Sequence, residues 1–98
     1  MLKANATIKF TLEDKNYSVK PLRVTFNFNS ELLFTGEIVS EHAIYSYNKA
    51  YGVDVEFFTV EDEAYAALQP VLTPGIGVTM QAGSRILGTA ELYNFIYS

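Results

Sequence analysis

The chain has 98 residues, of which 49% are hydrophobic, 14% aromatic and 18% charged. That composition folds as one globular domain, 1–98, and excludes a disordered polar chain. A formal net charge of −4 repels phosphate overall, and the absence of cysteine removes disulfides, thiolate chemistry and cysteine-held zinc.

Along the chain, "NATIKFTLE" at 5–13 sets Ala6, Ile8, Phe10 and Leu12 against Thr7, Lys9, Thr11 and Glu13. Alternation at period two is the mark of a half-buried strand. "DKN" at 14–16 reads as a turn, with 17–19 pairing back before Pro21. "LRVTFNFN" at 22–29 is the cleanest strand, alternating Leu22, Val24, Phe26 and Phe28 with polar neighbours. "NSELLFTG" at 29–36 reads as the segment that carries the chain round, ahead of a further strand near Ile38. Gly52 closes a polar, tyrosine-rich loop, and "VDVEFFTV" then places Val53, Val55 and Phe57 on one face.

"EDEAYAAL" at 61–68 breaks the alternation. Its three leading acids, Glu61, Asp62 and Glu63, suit the positive end of a short helix, and Pro70 and Pro74 keep that helix from continuing. "IGVTMQAG" and "SRILGTAELYNFIYS" are two strands around a tight turn, in which Gly83 supplies a positive φ. Gly88, inside a strand pattern, marks a bulge or a bend. Five or six strands, one short helix and no βαβ rhythm predict an all-β antiparallel barrel or sandwich. The early charges suit no secretory leader, and no run approaches the roughly 20 apolar residues of a membrane-spanning helix. The expectation is a soluble cytoplasmic protein with no membrane partner.

The possible chemistry is sparse. His42 is the sole histidine, and its neighbours Glu41 and Ser40 point to alternate sides of an extended segment, so the three form no preassembled triad. The consecutive acids at 61–63 lack the alternation of a calcium loop, and "GSRILG" lacks a phosphate-loop lysine. No catalytic, cofactor-binding or metal-binding residue is assigned, and the chain is read as a non-enzyme. Tyr45, Tyr47 and Tyr51 crowd one loop, either as the cover of a barrel end or as a contact surface.

The order of these signals resembles the C-terminal barrel, the third domain, of elongation factor Tu. "QAGSRILG" is similar to that family's arginine-glutamate-glycine-glycine-arginine turn and the strand after it, with Gly83, Arg85 and Gly88 on family positions. "TPGIGVTM" resembles the stretch before it, and "FNFNSELLFTGEI" resembles an aromatic strand ending in threonine-glycine at Thr35 and Gly36. The resemblance implies a six-stranded antiparallel barrel with a short helical insertion near 61–68, free of the family's nucleotide domain. It also implies contacts to transfer RNA at Thr35 and Gly83. Gln81 and Ala82 stand where the family has arginine and glutamate, which removes a charge and a polar contact. The expected function is therefore a non-catalytic module binding an unidentified protein through Thr35, Gly36, Tyr45, Tyr47, Tyr51, Gln81, Gly83 and Arg85. The alternatives are an RNA-binding module, or a decoy that competes with the full elongation factor.

Overall fold

The computed structural model describes residues 1–12, 22–29, 31–40 and 44–98. Six strands succeed one another in chain order: β1 Leu2–Phe10, β2 Leu22–Asn29, β3 Leu32–Val39, β4 Ala50–Phe57, β5 Ile76–Ala82 and β6 Arg85–Tyr97. Between β4 and β5 lie the helix α1, Asp62–Leu68, and a 3₁₀ turn, Gln69–Val71. The strands close into one antiparallel barrel in the ring order β1-β4-β3-β2-β5-β6, with β6 pairing back onto β1. The six-stranded barrel and the short helix agree with the expected fold. The paired segment expected at 14–19 lies outside the described residues.

Alternation decides which side chains fill the interior. Ala6, Ile8 and Phe10 of β1 face inward with Val24, Phe26 and Phe28 of β2 and Val53, Val55 and Phe57 of β4. Removing these side chains from water is the main stabilising term. Phe26, Phe28 and Phe57 stack edge-on or tilted at centroid spacings of 5.2 and 5.7 Å.

One expected connection is instead a strand. "LLFTG" lies within β3, where Thr35 pairs with Thr25 and Gly36 with Val24. Leu32, Phe34, Gly36 and Ile38 share the inward parity. Gly52 likewise sits inside β4, opposite Thr7, rather than closing a loop.

β1 and β2 stand on opposite sides of the ring, and so do β4 and β5. The connection from β4 to β5 therefore crosses one end of the barrel. Its Val60 and Leu68 are fully buried, and Tyr65 stacks on Tyr97 of β6 at 4.0 Å with the rings 6° apart. This is the helix end. The β3–β4 connection, the β5–β6 turn and the exit from β1 gather at the opposite, turn end.

Candidate functional site

The turn end is built by two short connections and a bulge. Gly83 and Ser84 form a two-residue turn between β5 and β6, and only Gly83, at φ 59°, takes a positive φ there. That is the pattern of a II′ hairpin, whose twist matches the flanking strands. Gln81 braces it, donating from Nε2 to the Gly83 carbonyl at 3.0 Å.

Beyond the turn, Gln81 pairs with Ile86 whereas Met80 pairs with Gly88, so Leu87 is the extra residue of a β-bulge. The bulge reverses the phase of β6. Leu87 and Gly88 both turn inward, and Ile86 is left 54% exposed. The Leu87 carbonyl accepts the N–H groups of Thr11 at 2.9 Å and Leu12 at 3.1 Å, which ties the exit of β1 to the start of β6.

The tyrosine segment divides in two. Tyr45 is 2% exposed, lies 5.5 Å from Phe10 and meets Tyr51 edge-on at 4.9 Å. Burial pushes its phenol pKa up, against the opposing effect of a hydrogen bond with Ser40. Tyr51 is also buried, and its pKa is drawn down by Ser46, first through its side-chain hydroxyl and then through its N–H, which donates to the phenol oxygen at 2.7 Å. Lys49 Nζ lies 5.5 Å from the centroid of that ring. These two tyrosines plug the turn end. Tyr47, by contrast, is 49% exposed, and Ile44 before it is 65% exposed. Asn48 takes φ 61° and donates its N–H to the Phe10 carbonyl at 2.7 Å, holding the segment against β1.

Of the eight residues expected to meet a partner, Thr35, Tyr47, Gly83 and Arg85 are exposed or half-exposed, and Gln81 is half-buried. Gly36, Tyr45 and Tyr51 are interior rather than on the surface. Gly36 lies under Phe26, where a Cβ would stand 2.7 Å from the ring. Thr35, Thr25 and Gln81 occupy one outward row across β3, β2 and β5, since Thr25 pairs with both of the others. Sequence patterning missed Ile44 and Ile86. The signal for Ile86 was Gly88, because a bulge beside it shifts which neighbours face out.

On the barrel wall, a groove of about 670 Å³ is lined by Thr7, Lys9, Asn27, Thr79, Thr89 and Glu91, among others. A second polar network joins Asn94 to Asn5 at 2.9 Å and Asn5 to Asp54 at 2.5 Å. Asn94 takes φ 55° at the bulge in β6, where Lys3 pairs with Ile96 but Asn5 with Tyr93. Glu61, Asp62 and Glu63 stand at the start of α1, where they complement the helix dipole. Among the described residues no three His, Cys, Asp or Glu side chains gather as a metal site, and His42 lies outside them. No described helix is long and apolar enough to cross a membrane. Comparison of the chain with protein-family models and with curated proteins finds no match, so the resemblance to elongation factor Tu rests on its motifs.

Proposed function

We propose that this chain is a non-catalytic binding module that engages a protein partner through the turn end of its barrel. One observation carries the reading. Ile44, Tyr47 and Ile86 come from two separate connections, yet all three stand exposed at the same end, with the Lys49 and Arg85 cations beside them. Large apolar side chains gathered on a surface mark contact sites, and tyrosine and arginine are enriched in them. The buried Tyr45 and Tyr51 hold the backbone beneath, so the exposed side chains are carried on a rigid base.

A photo-crosslinking residue at position 47 or 86 tests this in extract from the parent cell. The expected result is a protein adduct, identified by mass, that fails to form when the crosslinker is moved to position 63 at the helix end. Equal labelling from both ends, or none from either, overturns the reading.

RNA binding is the second reading, because Lys9, Lys49 and Arg85 share this end with the exposed Tyr47. It predicts binding of transfer RNA whose logarithmic affinity falls linearly with the logarithm of salt, with about one unit of slope lost per cation removed. A decoy for elongation factor Tu is the third form, and it predicts competition with the full factor for a shared partner.

A further inference from the structure

The groove on the barrel wall holds polar groups that the fold leaves unused. Across its floor Lys9 of β1 pairs with Thr89 of β6, Thr89 with Thr79 of β5, and Thr79 with Asn27 of β2. Strands at roughly 4.8 Å spacing make that row about 14 Å long. Beside it Glu91 pairs with Gly77, and a Cβ added at Gly77 would meet nothing within 4 Å, so the groove stays open there. Its volume of about 670 Å³ is that of a small-molecule site. Lys9 and Glu91 are diagonal neighbours across β1 and β6, within reach of a common ligand. They form no ion pair with each other or with another described residue. Asn27 is the second signal. Gln81 Nε2 donates to the Gly83 carbonyl at 3.0 Å, which turns Gln81 Oε1 toward Asn27 Nδ2 at 3.5 Å. Asn27 Oδ1 is left as a shielded acceptor with no donor, a state that costs stability until something supplies the hydrogen bond. The bond that holds this amide is at the limit of hydrogen-bond length, so a turn about its terminal bond brings Oδ1 into the groove.

We infer that this groove binds a free α-amino acid with a polar side chain. The ligand's ammonium group meets Glu91, and its carboxylate meets Lys9 and the Thr89 hydroxyl. Its side chain runs over Gly77 and Thr79 and donates to Asn27 Oδ1. Two opposite charges in one groove select a zwitterion over a singly charged molecule. The unpaired amide oxygen selects a side chain that carries an N–H or O–H donor. Lys9 and Glu91 are exposed, so solvent screens both contacts and the affinity is modest. The site lies on the wall, apart from the turn end, and its test is independent of any protein that docks there.

Amide-resolved NMR titration of the full chain with each of the standard amino acids tests it. Serine, threonine, asparagine or glutamine is expected to give saturating shifts at Lys9, Thr79, Thr89 and Glu91, with a dissociation constant of roughly 1 mM. Residues 61–63 at the helix end stay unmoved. The α-amide of the binding amino acid lacks the carboxylate and its Nα-acetyl form lacks the ammonium, and each is expected to bind at least tenfold more weakly. Lys9→Met and Glu91→Gln reproduce those two losses from the protein side. Asn27→Val loses binding yet melts no lower than the wild type, because it removes the unsatisfied oxygen; a purely structural Asn27 would lower the melting temperature instead. No saturating shift with any amino acid, shifts that miss the groove, or equal affinity for the blocked derivatives overturns the inference. Should a variant fail to fold, the blocked derivatives titrated into the wild type still decide it.

Discussion

Three glycines sit in three different physical situations, and replacing each with alanine separates them. At Gly88 the added Cβ falls on backbone: it overlaps the Lys9 carbonyl oxygen and lies 2.8 Å from Phe10 Cα and 3.0 Å from the Lys9 carbonyl carbon. None of those atoms can rotate away, so β6 must move from β1 at the seam that closes the barrel. Losing about two ladder hydrogen bonds at roughly 1 kcal/mol each, and adding overpacking of about 1–3 kcal/mol, puts Gly88→Ala near 3–5 kcal/mol. That is a large share of the roughly 5–15 kcal/mol of a small domain.

At Gly36 the Cβ meets side chains instead, Phe26 Cε2 at 2.7 Å and Val55 Cγ1 at 2.8 Å. Both must retreat by about 1 Å to reach normal contact. Overpacking again costs about 1–3 kcal/mol, and alanine's smaller entropy loss in a strand returns roughly 0.5–1 kcal/mol, so the net loss is about 0–2.5 kcal/mol. Gly83 has open space around it, and there the left-handed φ of 59° alone costs an alanine about 1 kcal/mol. Urea unfolding monitored by far-ultraviolet circular dichroism measures all three. The expected order is Gly88 well ahead of Gly36 and Gly83. A Gly88→Ala variant within about 1 kcal/mol of wild type would refute the seam argument.

Tyr45→Ala removes the plug of the turn end and is expected to cost about 3–5 kcal/mol, whereas Tyr47→Ala stays within about 0.5 kcal/mol, read from the same urea curves. Asn94→Ala loses the hydrogen bond to Asn5 and forces alanine into a left-handed φ, for a loss of about 1–2 kcal/mol; Asn94→Gly keeps the φ accessible and is the milder change. In a tyrosinate absorbance titration, Tyr51 ionises early because Ser46 donates to its oxygen, and Tyr97 late because its hydroxyl donates to Asp62 at 2.8 Å. The raised pKa of Tyr97 means its contribution to stability is complete below the ordinary value of about 10 and is lost as pH rises through the folded value. Tyr97→Phe should therefore flatten the alkaline fall in stability, and an unchanged fall would assign it to another group. For Tyr51 the sign is opposite: its contribution is present above about 10 and is lost as pH falls through the lowered folded value.

The alternation of β1, β2 and β4 was legible because it depends only on neighbours in the chain: Ile8 and Phe10, or Val53 and Val55, must share a face once the backbone is extended. The helix was legible from its acids, its alanines and the prolines after it. The turn at Gly83 was also local, since a positive φ favours glycine wherever it occurs.

What the tertiary structure decided concerns positions whose meaning depends on a distant strand. Gly36 read as the end of a connection because nothing near it reveals that Phe26 lies over it. Tyr45 and Tyr47 are two residues apart, and only the closed barrel, with Phe10 and Tyr51 waiting at its rim, buries one and exposes the other. Ile86 faces outward because Leu87 is an extra residue against β5, a register that belongs to the pair of strands and to neither alone. Among the described residues, three cations distant in the chain come to one end through ring closure in the order β1-β4-β3-β2-β5-β6. In the sequence Lys9, Lys49 and Arg85 are scattered, and pairing β1 with both β4 and β6 is what gathers them.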